Sequence, residues 1–416
     1  MNAIIISCGT ELVSGQCVDT NSAWLSEQLT AHGVRVAEHI TVGDEVADIA
    51  DAVRRALERA ELVIITGGLG PTGDDLTREG IAAAIGQPLE ENPAAFAQIR
   101  AFFERWGRDM SASNRVQAMV PRGCTVIPNP RGTAPGIAYK DETRRLFALP
   151  GVPSEMRAMF DEGIRPAVQS SRGESCTLSA RLLCYGISEA KLGEAIADLM
   201  ARGRNPLVGT TASDAVLAVR VLARGDESEA ARRLLDADCA EIRRRLGQLV
   251  FGQDDDTLQG AVARLLFAQG KTIATAESCT GGLLAKCLTD VAGSSAFFLR
   301  GYVAYSNAAK TQLLGVSPEV IAEQGAVSET VAKAMAVGCR LAAGSDFSLS
   351  ITGIAGPGGG SPPEKPVGLV YIGLADKATC DVHRFLMGEH LTRGEIRDRT
   401  CKSALNLLRL RLLRGT

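Results

Sequence analysis

Twice in this chain a continuous apolar run of strand length ends in a loop of glycine and proline: VIITGGLGPTGDD at 63–75 and LSITGIAGPGGG at 349–360. A run without polar alternation is a strand covered on both faces, as in a parallel sheet flanked by helices. Ligands of open α/β sheets sit at the carboxyl ends of the strands. The two stretches are therefore one device used twice rather than a repeat, and each marks the ligand edge of a sheet.

The surrounding pattern agrees. Strand-like runs at Ala3–Ser7, Val34–Ile40, Leu62–Thr66, Thr125–Ile127 and Arg145–Ala148 alternate with helical patterns at Asn21–His32, Glu45–Ala60, Leu76–Ile85 and Pro93–Trp106. This order predicts a parallel sheet with helices on both faces. Residues 166–172 are polar and patternless and mark a boundary. Strands at Ser179–Tyr185 and Ala215–Ala223, with helices at Ser188–Met200 (capped by Ser188) and Glu227–Leu246, predict a small α+β module. The acidic turn at 252–256 marks a second boundary. Beyond it come helices Leu258–Gln269, Glu329–Ala343 and Arg393–Arg414, a strand over Lys271–Glu277, an apolar run over Phe297–Ser306, and strands Phe347–Thr352, Gly368–Ala375 and Cys380–Leu386. A length of 416 residues suits two or three domains. The expected domains are 1–168, 173–250 and 257–416, and the fold class is α/β.

Net charge is −3, which gives no electrostatic case for nucleic acid or a membrane surface. No apolar run approaches the ~20 residues that span a bilayer. The amino terminus lacks the basic start of a signal peptide. Eleven cysteines are scattered without a C-x-x-C pair, as expected of free thiols in a reducing cytoplasm, and zinc is not expected.

Glycine in the Gly67–Asp75 loop lets main-chain amides approach an anion. Asp74 and Asp75 are hard oxygen donors of the kind that hold Mg²⁺ beside phosphates. A plain turn with Asp75 capping the next helix is the alternative. Further loops follow the strands at Gly9–Leu12, Asn129–Gly136 and Leu149–Glu155. In a parallel sheet all of these would meet at one rim.

Ser278, in TAESCTGG, sits between a strand and a helix. It is either a helix cap or a nucleophile beside free amides that form an oxyanion hole. Gly281 and Gly282 leave room for substrate. None of the four histidines lies near it in sequence. A serine nucleophile would then need a lysine base, and GYVAYSNAAK offers Lys310 beside Tyr305, with a solvated surface lysine as the alternative reading. Burial lowers the ordinary lysine pKa of about 10.4 and frees the neutral amine. The loop after Thr352 exposes amides, with Lys365 and Arg393 as cationic partners.

The stretches GTELVSGQCVDTNSAWL, TGGLGPTGDDLTREG, NPRGTAPG and LPGVPSEM resemble the amino-terminal domain of the CinA family, similar in fold to the three-layer MoaB and MogA proteins. The resemblance implies hydrolysis of ADP-ribose to AMP and ribose 5-phosphate, with a divalent metal (Mg, Mn or Co) and K⁺. By motif, Glu11, Asp74 and Asp75 would hold the metal. Asn21, Gly67, Gly68 and Thr77 would bind substrate, with Asp19, Asn114 and Gly132 as further candidates. AESCTGG, GYVAYSNAAK and ITGIAGPGG resemble the family's carboxy-terminal nicotinamide-nucleotide amidohydrolase. That likeness implies conversion of nicotinamide mononucleotide (NMN) to nicotinic acid mononucleotide and ammonia, without a cofactor. Ser278 would be the nucleophile and Lys310 the base. Tyr305 would assist proton transfer or position Lys310, and Thr352 would polarise the amide. Gly281, Gly282, Gly356 and Gly358 would shape the pocket. The family's Gly-Asp-Arg is replaced by Gly388-Glu-His-Leu-Thr-Arg393, which leaves Arg393, or else Arg397, as the arginine of the site. YGISEAKL matches the family's KH-like linker, which here lacks a G-x-x-G clamp and a basic stripe, so no RNA binding is expected. The resemblance also implies a homodimer.

Overall fold

The computed structural model describes residues 1–169, 176–359 and 364–415. It divides into two compact units, Met1–Ser179 with Leu222–Asp236, and Ala180–Val221 with Ala237–Thr416.

In the first unit, strands β1 (Asn2–Cys8), β2 (Arg35–Val42) and β3 (Leu62–Thr66) belong to a six-stranded sheet. A two-stranded ribbon, β4 (Leu89–Glu91) with β5 (Met119–Pro121), lies apart from it. The sheet is completed by β6 (Thr125–Ile127), β7 (Gly136–Lys140) and β8 (Arg145–Leu149), in the order β2-β1-β3-β8-β7-β6. The first four in that order are parallel; β7, which was not expected, pairs antiparallel with both β8 and β6, so the sheet is not wholly parallel as expected. All five residues of β3 are buried, as the unbroken apolar run requires. Its even and odd positions enter different cores: Val63 and Ile65 pack with Ile49, Val53 and Ile81, and Leu62 and Ile64 with Leu25, Leu29 and Phe160. The polar boundary proposed for 166–172 is helical over Arg165–Gln169, and its remainder lies outside the described residues.

The middle segment forms a sheet of β9 (Cys176–Cys184), β10 (Leu207–Ser213), β11 (Val216–Gly225) and β12 (Val250–Gln253), ordered β10-β11-β9-β12. Ser188 caps its first helix, which ends at Ala195 rather than Met200. β10 and β12 were not predicted.

The rest of the second unit carries β13 (Ile273–Glu277), β14 (Phe298–Val303), β15 (Phe347–Gly353), β16 (Leu369–Ala375) and β17 (Cys380–Leu386), ordered β14-β13-β15-β16-β17. β13 runs parallel to both β14 and β15, while β16 and β17 turn back antiparallel. The carboxyl ends of three successive strands, at Glu277, Val303 and Gly353, therefore share one edge. Helices Leu258–Gln269 and Arg393–Arg414 cover one face through Val262, Leu266, Leu405 and Leu408. Helix Glu329–Ala343 covers the other through Val331, Met335 and Cys339.

Candidate active site

Ser278 is half-buried, in contrast to the five fully buried residues before it. Its amide donates to the Ile351 carbonyl at 3.0 Å, which ties the strand end to β15. The chain then turns through Gly281 and Gly282, both at positive φ, into helix Leu283–Thr289. Ser278 does not cap this helix. That place is taken by Glu277, a residue the sequence reading passed over. Its carboxylate is 1% exposed and accepts from the amides of Gly282 at 3.0 Å, Leu284 at 3.0 Å and Ala285 at 2.8 Å. The expected oxyanion hole at the helix start is therefore occupied by this side chain. The amides of Cys279 and Thr280 make no main-chain hydrogen bond among the described residues, the Cys279 amide facing its own thiol, and they are the donors that remain.

Lys310 reaches Ser278 from the next strand connection. Ser306 caps helix Asn307–Leu314, and Lys310 sits one turn in. It is 1% exposed, so it is not a solvated surface lysine. Its Nζ lies 3.2 Å from Ser278 Oγ, 3.0 Å from the Ala304 carbonyl and 3.3 Å from the Tyr305 carbonyl. Burial pushes the amine below its ordinary pKa, with a small opposing effect from Cys279. A neutral amine has two N–H donors and one lone pair. The two carbonyls match the donors, which leaves the lone pair for the serine hydroxyl. Cys279, next to Ser278, is pushed up to about 11 by burial, so its thiol is no competing nucleophile.

Tyr305 and Thr352 are placed differently from their assigned roles. The Tyr305 hydroxyl does not approach Lys310. It accepts from Arg393 at 2.9 Å, on a side chain that is 59% exposed. The Thr352 hydroxyl donates to the Ala326 carbonyl at 2.7 Å and is not free to polarise a substrate. Arg393 also donates to the Gly356 carbonyl at 2.8 Å, and Arg397 holds the Thr280 carbonyl at 2.6 Å. Both arginines thus border the site, one at the Gly356 loop and one at the Ser278 turn. Lys365 turns to the Gln324 carbonyl at 2.7 Å. Gly356 is at positive φ and Gly358 is not.

In the first unit the predicted rim exists as a cavity of about 610 Å³. It is lined by the ends of β1, β3 and β8 and includes Glu11, Asn21, Gly67, Gly68, Asp74 and Asp75. Gly67 is obligatory, because a Cβ there would lie 2.2 Å from the Cys8 carbonyl. Asn21 donates to Thr66 Oγ1 at 3.0 Å and to the Gly151 carbonyl at 2.8 Å. Asp19 caps the following helix; burial pushes its carboxyl up, but the hydrogen bonds from Ser22 outweigh this and leave it below its ordinary value. Thr77 is fully buried and does not line the cavity. Asn114 bonds Gln117, and it is Gln117 that reaches the wall. Gly132 lies against Glu155, which lines the wall and was also missed.

Asp75 does not cap the next helix. Its carboxylate accepts from the amides of Gly70 at 2.8 Å and Thr72 at 2.9 Å and closes its own loop. Among the described residues no three His, Cys, Asp or Glu side chains converge as a metal cage. The carboxylates around the cavity still have the donor chemistry of a hard divalent ion shared with a ligand's phosphates.

The two rims define a class: a chain with two α/β sheets, each with a loop-built site, joined by a small α+β module. Family models match accordingly: a probable molybdopterin binding domain over 4–170, a damage-inducible protein CinA KH domain over 179–252, and a CinA C-terminal domain over 255–412. A CinA-like protein of Geobacter metallireducens is 44% identical over 99% of this chain and 100% of its own, and one of Parasynechococcus marenigrum is 44% identical over 98% of each. Among solved structures, competence/damage inducible protein CihA of Agrobacterium tumefaciens is 42% identical, covering 37% of this chain and 94% of that one at a TM-score of 0.35. The chain belongs to the CinA family. Among the described residues, no helix is long and apolar enough to cross a membrane.

Proposed function

We propose that the second unit hydrolyses the carboxamide of nicotinamide mononucleotide to the carboxylate and ammonia. The observation that carries this reading is the 3.2 Å approach of a buried, pKa-lowered amine to a half-exposed serine hydroxyl. Ser278 Oγ attacks the amide carbon while Lys310 takes its proton. The oxyanion forms against the amides of Cys279 and Thr280. Lys310 returns the proton to the leaving nitrogen, and ammonia departs. Water then attacks the acyl-serine, again giving its proton to Lys310, and the acid and Ser278 are released. Arg393 and Arg397 stand where a nucleotide's phosphate can be met.

The test is ammonia release from the mononucleotide by the purified full chain. Ser278→Ala should abolish it while leaving mononucleotide binding near the wild-type level. Near wild-type turnover in that variant would remove the assignment.

The cavity of the first unit favours a second activity beside the first, hydrolysis of ADP-ribose to AMP and ribose 5-phosphate. A divalent cation, when bound with the ligand, supplies charge neutralisation there, and Asp74 and Glu11 are the residues to hold it. AMP release that requires an added divalent cation and is lost in Asp74→Ala is the expected result. No release with Mg²⁺, Mn²⁺ or Co²⁺ would reject it.

A further inference from the structure

The cavity of the first unit has a charge problem. Six acidic side chains line it (Glu11, Asp19, Asp44, Asp74, Asp75 and Glu155) and no lysine or arginine does. A phosphate-bearing ligand would meet mostly like charge. The compensating cation stands behind the wall. Arg78 is 2% exposed, and its guanidinium donates to the carbonyls of Leu69 at 2.8 Å, Gly70 at 2.8 Å and Asp75 at 3.1 Å. It forms no ion pair among the described residues; the carboxylates of Glu79 and Asp75 act on it only from a distance.

Its neighbour completes the arrangement. Thr77 donates through Oγ1 to the Gly67 carbonyl at 2.9 Å and through its amide to the Gly68 carbonyl at 3.2 Å. Four consecutive carbonyls, 67 to 70, are thus turned toward Thr77 and Arg78. The amides of Gly68 and Leu69, both cavity residues, are left without a partner among the described residues. The peptide units whose positive ends face the cavity at Gly68 and Leu69 are thus held by Thr77, whereas Arg78 holds the next two carbonyls, whose units end in the Gly70 amide, taken by Asp75, and in Pro71, which has no N–H.

We infer that Arg78 is the counter-charge of this rim, favouring phosphate oxygens on the Gly68 and Leu69 amides that Thr77 orients, without touching them. The inference rests on the reading of the rim as a site for a phosphate-bearing ligand, and it is tested apart from any hydrolysis. Inorganic pyrophosphate with magnesium is titrated calorimetrically into the full chain and two variants. Arg78→Gln keeps hydrogen-bond donors for the carbonyls and loses the charge. Arg78→Lys keeps the charge and loses the planar fork. Affinity should fall about tenfold or more in Arg78→Gln and stay within about threefold in Arg78→Lys. The reverse order would mean that Arg78 only braces the loop, and equal affinity in all three proteins would mean that its charge is not felt; either result overturns the inference. If Arg78→Gln does not fold, Arg78→Lys decides by itself, since a loss of tenfold or more there contradicts the assigned role. Charge-dependent pyrophosphate binding without ADP-ribose hydrolysis would uphold the inference while ending the second activity.

Discussion

Lys310 and Ser278 meet across two parallel strand ends, with Nζ 3.2 Å from Oγ and the amine's other two contacts made to the main-chain carbonyls of residues 304 and 305. The amine is thus aligned by backbone, and the serine by its own amide bonded to β15.

The pH dependence follows from burial of that amine. Ordinary lysine titrates near 10.4, and Lys310 lies below this because burial disfavours its charge. In the proposed mechanism the neutral form is the active one, so kcat/KM for ammonia release should rise with pH and level off above an apparent pKa below that of free lysine. For stability the sign is the same. The folded chain binds this proton less readily than the unfolded chain, so the contribution of Lys310 declines as pH falls through its folded pKa. A rate that falls steadily as pH rises from about 6 to about 9 would contradict the role of base.

Lys310→Met should lower kcat by at least about a hundredfold, the usual range for loss of a general base. The measurement is steady-state ammonia release, with mononucleotide binding as the control.

Tyr305→Phe should change kcat less than about threefold. The contact to Lys310 is the Tyr305 carbonyl, which phenylalanine retains, and the hydroxyl serves Arg393. A large loss of kcat with unchanged KM would restore a proton-transfer role for the phenol.

The two arginines should separate kinetically. Arg397 holds the Thr280 carbonyl, in the turn that carries the free amides, so Arg397→Met should lower kcat. Arg393 is exposed at the Gly356 loop, so Arg393→Met should mainly raise KM. Full kinetics on both variants measures this, and the opposite split would exchange their roles.

Glu277→Ala should destabilise the second unit by about 3 kcal/mol, because three inward amides lose their acceptor. Urea unfolding followed by a probe in that unit reads the loss. Glu277→Gln should cost less, since it keeps one carbonyl oxygen.

Long patterned elements were legible in the sequence. The helices Leu258–Gln269, Glu329–Ala343 and Arg393–Arg414, and the strands Leu62–Thr66 and Cys380–Leu386, have the predicted bounds. Much of what escaped was short or bordered by glycine: β7 opens on Gly136 and packs against Met159 without a Cβ, and β4 and β5 have three residues each, while the seven-residue β10 ends in the small polar run TTAS and carries little apolar pattern. Helix Asn307–Leu314 buries only Lys310 and Leu314 fully, so it shows no apolar stripe. The roles of Glu277 and Arg78 were invisible for a different reason. Charged residues near loops suggest solvent, and only the fold shows that both are buried against main chain.

The backbone seating of Lys310 bears on how this site tolerates change. Carbonyl oxygens exist whatever side chain a residue carries, so the grip on the amine does not depend on the identity of residues 304 and 305. Substitution of the exposed Tyr305 should keep that grip wherever the strand end keeps its path, whereas Ala304 is fully buried and position 310 itself admits no such freedom. On the proposed amide-hydrolase reading, a variant library could therefore reshape the exposed surface around Tyr305 to suit other carboxamides without first rebuilding the seat of the amine.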